Sequence, residues 1–434
     1  MENEVMKSGN VFSSRNFRLV FLGALVSELG ALLYSFAVSF YILRISGNSA
    51  FLQGLYLALC GVAMLVFTPV GGVLGDRFNK ARIMYVCDYL KGGLIILATV
   101  LMILFREPKA HIAILFTLGI LGNAVSGIFS PVSGALLPHI VEEDRLQQAN
   151  AYFSIKSSLE GILGVILAGV LYAALPIHVL FFLVGICFVL SGVSEMFIRY
   201  DHTPPQESLT LRLAVRDMRD GIAYLKTQKA ILVLLFAILF INFFFTPLTG
   251  NFMPFFISTD LASAPSYMLD GVLSPEMWSS VISVFFGISS LLGAAILSAG
   301  KQPDKCGFKV AVRLFLLGLA MTGLTVSYWL LVDRGSCING FLLTFCGGAL
   351  MFGFLIAYVN IPTTTALMRI VDKEKLSKVN SITSIASQGM IPLASVLAGA
   401  VLQTLGSTFL LAFCSLGFIV TAVLLLFNRR IREF

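Results

Sequence analysis

Apolar runs long enough to cross a membrane recur from one end of this chain to the other. They lie at roughly 17–43, 51–75, 82–105, 111–136, 146–173, 176–198, 230–256, 277–299, 310–332, 338–361, 377–404 and 408–427. Crossing ~30 Å of hydrocarbon takes about 20 helical residues, and a helix satisfies its own backbone polar groups where no water can. Only 12% of the 434 residues are charged, whereas 57% are hydrophobic; a soluble domain carries about 25% charge. The chain therefore reads as an all-α polytopic membrane protein with twelve transmembrane helices in two six-helix bundles. Outer-membrane barrels alternate polar and apolar residues in short strands, a pattern not found here. The first run is too long, and lacks the cleavage site, for a signal peptide.

The basic residues orient these spans. With both termini placed in the cytoplasm, 24 Lys and Arg fall on cytoplasmic segments, whereas the opposite loops hold only Arg44, Arg106, Lys109 and Arg334. This bias sets topology, so both ends are expected inside; the plasma membrane is the expected location. The net charge of +7 is thus read as a topological signal and not as a nucleic-acid surface. The longest hydrophilic stretch, 199–229, carries Leu211, Val215, Met218, Ile222 and Leu225 at helical spacing beside Arg212, Arg216 and Arg219. An amphipathic helix on the cytoplasmic membrane surface is expected there, dividing a bundle at 1–198 from one at 230–434.

The two bundles are related. With a shift of 230 residues, Leu137, Val141, Leu146, Asn150, Ser154, Ile155, Ser157, Leu163, Leu167, Ala168 and Gly169 fall on identical residues at Leu367, Val371, Leu376, Asn380, Ser384, Ile385, Ser387, Leu393, Leu397, Ala398 and Gly399. The spacing Gly72-x-x-x-Asp76-Arg77 recurs as Gly300-x-x-x-Asp304-Lys305. Six spans per copy put both motifs on one face, which implies a parallel repeat about an axis normal to the membrane.

Signatures of other classes are missing. The nearest approach to a phosphate loop, Ala295 to Gln302, has Ala for the first Gly and Gln for the final hydroxyl residue. No HExxH or nucleophile–base pair is present. The seven cysteines and four histidines are scattered, with no CxxC, so no metal, cofactor or enzymatic activity is expected.

The stretch 72–82, GVLGDRFNKAR, resembles the helix 2–3 signature of the major facilitator superfamily, Gly-x-Leu-Ala-Asp-Arg-x-Gly-Arg-Lys. LLPHIVEEDRLQQANAYF (136–153), ILGVILAGVL (162–171) and NFFFTPLTGNFMPFF (242–256) are similar to its twelve-span efflux branch, which includes macrolide and siderophore exporters. The resemblance implies a conformational latch. Asp76 would meet the start of helix 11 near Ser377, and Asp304 the start of helix 5 near Leu146, when the cytoplasmic side is closed; helix N-termini attract carboxylates. Gly72 and Gly75 would allow close helix packing, Arg77 and Lys80 would pair with acids or lipid phosphates, and Asn79, where Gly is usual, would accept left-handed turn geometry. Many proton antiporters of the superfamily carry an Arg in helix 4 and a Gly-Pro in helix 5; here 111–136 has no Arg and the pair is Gly164-Val165.

Charges inside the membrane cost about 2.5–3.5 kcal/mol or more and mark function. Glu28 lies ~16 Å into helix 1, counting 1.5 Å per residue, with no charged neighbour in that helix, and is the candidate for proton coupling. One proton entering across 100 mV supplies ~2.3 kcal/mol, roughly a fiftyfold gradient. Lys156 and Glu160 lie one turn apart in helix 5 and are expected to shape a cavity, since Ala386 and Met390 replace them in the second copy. Asp88 and Lys91 are expected to form a structural i,i+3 ion pair near the cytoplasmic gate. Glu195 is expected to reach the membrane interface. Tyr34, Asn242, Tyr358 and Gln388 are polar candidates for the central cavity, while most of the 37 Phe should face lipid or other helices.

The expected function is secondary transport: proton-coupled efflux of amphiphilic small molecules by a monomer rocking two halves, with the bilayer as its medium. A lipid or glycolipid translocator on the same fold is the alternative.

Overall fold

The structure, a computed structural model, describes residues 11–142, 145–200, 229–299, 307–335, 337–370 and 373–427. The amphipathic segment, Gly300 and Asp304 lie outside the described residues, and the side chain of Asp76 is likewise not described.

Twelve membrane-length helices follow one another among the described residues. They are α1 (Arg15–Ile45), α2 (Ala50–Arg77), α3 (Lys80–Leu104), α4 (Pro108–Ile140), α5 (from Leu146–Leu159), α6 (Ile177–Met196), α7 (from Lys229–Thr246), α8 (Met277–Ala299), α9 (from Gly307–Tyr328), α10 (Ile338–Ile370), α11 (Lys373–Thr404) and α12 (Ser407–Phe427). Each overlaps its apolar run, and most differences are polar extensions into the loops. Helices α5, α7 and α9 run on through π turns, at Glu160–Gly164 in α5, at Pro247–Phe252 and Ile257–Leu261 in α7, and at Trp329–Asp333 in α9; beyond its π turn α5 continues as Val165–Ala174. Proline has no N–H to donate, and Pro247 opens the first bulge of α7.

Helix starts follow local chemistry. Ser14 and Ser49 accept from the amides of Phe17 and Leu52, and Pro108 occupies the first turn of α4. Asn79 has φ −59° and ψ 116°, which corrects the expected left-handed turn. Its value is its side chain: Oδ1 accepts from Arg82 N at 3.1 Å and caps α3.

The packing repeats with the sequence. In the first half α2 lies on α4 and α3 on α6; in the second, α8 lies on α10 and α9 on α12. Across the halves α2 packs on α11, and α5 on α8, again a symmetric pair. These contacts are tight at the face away from the termini. A Cβ on Gly399 would stand 2.6 Å from the Ala50 carbonyl oxygen, and one on Gly54 would strike the Ser395 carbonyl. There Gln53 Nε2 donates to Gly250 O at 3.2 Å, Asn251 Nδ2 to Ser395 O at 3.3 Å, and Ser280 Oγ to Val165 O at 2.6 Å. Polar bonds between helices add to packing where lipid competes for apolar faces.

Phenylalanines fill the second half. Phe252, Phe256, Phe341 and Phe345 are buried around Tyr328, with Phe256 and Phe341 edge-on at 4.9 Å. These rings serve as core.

Candidate functional site

The charged residues gather in the first half. Gly164 of α5 lies against α1, where a Cβ would meet Leu32 at 2.8 Å and Leu29 at 3.2 Å. That approach brings Glu28 to α5. Its Oε2 is 2.6 Å from Lys156 Nζ, and Lys156 Nζ is 3.4 Å from Glu160 Oε1. The partner absent from Glu28's own helix is thus supplied across the interface. Lys156 and Glu160 have only 1% and 5% of their side chains exposed, whereas Glu28 has 51%. Two carboxylates therefore share one ammonium, one of them sealed and the other facing a cavity. Glu160 sits on the first residue of the π turn, a distortion common at functional sites. Its Oε1 lies at ion-pair distance without a hydrogen bond.

The cavity has two lobes. The larger, about 640 Å³, is lined by Tyr34, Tyr56, Cys60, Asn123 and Lys91 of the first half and by Gln388 and Ile391 of α11. The smaller, about 270 Å³, takes in Glu28, Asp88 and Ser27. Ala31, Met64, Lys91, Ser126 and Ser130 border both. One lobe is thus broad and mostly neutral, and the other holds carboxyl groups.

Asp88 and Lys91 do not form the expected ion pair, because their side chains leave α3 toward different neighbours. Lys91 Nζ donates to Ser126 Oγ of α4 at 2.7 Å and stands 4.5 Å from the Phe188 ring centroid. Asp88 is buried, at 3% exposure. Glu195, expected at the interface, is fully buried instead. The face Gly185, Phe188, Ser191, Gly192 and Glu195 of α6 is buried as a stripe. Its spacing of three and four residues was the signal that could have placed Glu195 inside.

Tyr34 and Gln388 line the cavity as expected. Asn242 and Tyr358 line neither lobe. Asn242 bonds its own helix at Ile238 O, 2.9 Å, and the Tyr358 ring lies 4.7 Å from the Arg313 guanidinium.

Around the helix 2–3 motif, the close approach to α4 is made by Gly71 and Gly75. A Cβ on Gly71 would be 2.5 Å from Ile128 O, and one on Gly75 3.1 Å from Val132 Cγ2. Gly72, a third of a turn away, faces open space. Arg77 is exposed. Lys80, expected to pair with acids or lipid phosphate, is buried and forms no ion pair among the described residues; its backbone amide donates to the Tyr200 hydroxyl at 2.6 Å.

The arrangement is thus a cavity bordered by both halves, with a trio of ion-paired side chains at its edge. The chain is similar to known proteins along most of its length. It is 22% identical over 386 residues to the uncharacterized MFS-type transporter YkuC of Bacillus subtilis, covering 86% of this chain and 82% of that protein. It is 20% identical to macrolide efflux protein A of Streptococcus pyogenes, covering 90% of each. A crystal structure of a peptide transporter with bound sulfate superimposes with a TM-score of 0.73 over 97% of this chain and 95% of that one, at 14% identity. The Major Facilitator Superfamily model matches residues 20–305. Family model, helix pairing and repeat agree: this chain is a member of the major facilitator superfamily of membrane transporters.

Proposed function

We propose that the chain is a proton-coupled exporter of amphiphilic small molecules, acting as a monomer in the plasma membrane with both termini in the cytoplasm. The observation that carries this reading is the sharing of Lys156 by Glu28 and Glu160. With both acids ionised the trio has one excess negative charge, and one added proton neutralises it. Cargo entering from the cytoplasm displaces that proton inward. A rocking of the halves about the cavity then releases the cargo outside, where a carboxylate takes up the next proton before the return. One proton enters for each molecule expelled.

The state described here suits the loading step. Among the described residues the tight contacts between the halves lie toward the face away from the termini, and a Cβ on Gly72 would meet nothing within 4 Å at the other. Asn150, Ser154 and Ser157 form an exposed stripe on α5, a costly surface against lipid and a suitable one beside water. The large lobe is roomy and mixed in polarity, as amphiphile sites generally are. Macrolide efflux protein A, by its name, exports macrolides, so erythromycin is the first cargo to try.

The test is reconstitution in proteoliposomes. Erythromycin added on the cytoplasmic side should be transported while an imposed pH gradient collapses, and Glu28→Gln should uncouple the two. Movement of labelled lipid between leaflets, with no drug-dependent proton flux, would instead establish the translocator and overturn this reading.

A further inference from the structure

Besides the trio at Lys156, the first half buries a second pair of acids that the exporter reading leaves unused. Glu195 has no exposed surface and Asp88 has 3%. Glu195 Oε1, Glu195 Oε2 and Asp88 Oδ2 are buried without a hydrogen-bond partner. Neither residue is within ion-pair distance of any base among the described residues; the ion pairs there are Arg145–Glu142 and the two on Lys156. The two acids lie on helices held in tight contact, Glu195 one turn beyond Gly192 and Asp88 next to Tyr89 in sequence. A Cβ on Gly92 of α3 would be 2.8 Å from the Gly185 carbonyl oxygen of α6, and one on Gly192 3.0 Å from Tyr89.

The surrounding groups include one cation, Lys91, whose charge reaches Asp88, and they leave Glu195 without one of its own among the described residues. On α3 they are Cys87 and Lys91, whose ammonium is turned to Ser126 and Phe188. On α6 Ser191 adjoins Asp88, but its hydroxyl donates to Gly23 O of α1 at 3.0 Å. From α1 come Gly23, where a Cβ would lie 3.5 Å from Glu195 Cγ, and Ser27 and Glu28 across the small lobe. From α4 come the hydroxyls of Ser126 and Ser130. One ammonium, bonded elsewhere to Ser126, cannot keep two carboxylates so enclosed both ionised. No group of three or more metal-ligating residues occurs among the described residues.

We propose that Asp88 and Glu195 form a second proton-binding site, in which Asp88 faces the small lobe and Glu195 is sealed behind it. Protons enter and leave through the lobe at Asp88, and Glu195 retains one when the pair is at rest. The proposal rests on the exporter reading only for its place in a transport cycle; the site is a property of the fold alone.

The experiment is an infrared pH titration of the full-length protein in lipid nanodiscs, following the carbonyl stretch of protonated carboxylic acid. Wild type, Glu195→Gln, Asp88→Asn and Glu28→Gln are compared, with size-exclusion elution as the folding control. Wild type should show an acid band near neutral pH that vanishes on alkalinisation. The band should lose one component in Glu195→Gln, lose or shift that same component in Asp88→Asn, and keep it in Glu28→Gln, where any change is confined to the contribution of the trio at Lys156. An unchanged band and titration in the first two variants would overturn the site. So would its displacement at fixed pH when sodium replaces N-methylglucamine, which would make the ligand an alkali cation. If Glu195→Gln fails to fold, Asp88→Asn decides alone. No cargo is present, so a negative result leaves erythromycin export standing, and failure of export leaves the titration standing.

Discussion

Glu28 of α1 and Lys156 of α5 meet at 2.6 Å through a side chain that is half exposed and one that is almost wholly enclosed. The base is therefore enclosed, and the acid at its mouth faces the cavity. Replacing Lys156 removes the one cation paired with Glu160 among the described residues, and losing one member of a buried pair typically costs about 3–5 kcal/mol. Lys156→Met should lower the melting temperature of the purified protein and abolish drug-dependent proton flux. Lys156→Met/Glu160→Gln should regain most of the stability, because the sealed charge is gone, but not the flux. Differential scanning fluorimetry with the liposome assay tests both.

The seal opposite the termini depends on backbones in contact at Gly54 and Gly399. Gly54→Val should force α2 away from α11 and expose the cavity from that side. Cys60 lines the large lobe. In a variant keeping only that cysteine, a membrane-impermeant maleimide applied from outside intact cells should label several-fold faster once Val is present. Equal labelling rates would show that this contact does not hold the gate.

Asp76 carries the expected latch. Asp76→Asn should reduce erythromycin transport severalfold while the amount of protein in the membrane is unchanged, as judged by immunoblot of membrane fractions. Normal transport would remove the latch from this chain's cycle.

Asn79 offers a milder change. Removing a side-chain cap costs about 1 kcal/mol, so Asn79→Ala should lower the melting temperature slightly and leave transport intact. A loss of transport at normal stability would mean that the residue does more than start α3.

The span pattern was legible because the bilayer imposes one length and one polarity on every crossing. The runs at 277–299 and 408–427 match α8 and α12 almost residue for residue. The meeting of Glu28 with Lys156 was not legible, because charge in a single helix says nothing about which neighbour faces it. Asp88 and Lys91 misled for the same reason: an i,i+3 spacing permits a pair, but Ser126 on another helix captured the ammonium. Glu195 was misjudged from its place near a helix end, when the stripe of Gly185, Phe188, Ser191 and Gly192 already marked its face as inward.

The second copy of the repeat carries Ala386 and Met390 where the first has Lys156 and Glu160. Duplication thus left two scaffolds with unequal duties. One kept its ionisable groups in the middle of the membrane, and the other became an oily counterweight packed with aromatic rings. Charge in the middle of the membrane is thus concentrated along one half of the chain, so a substitution at Lys156 or Glu160 alters the electrostatics of the cavity edge without touching the aromatic core around Tyr328.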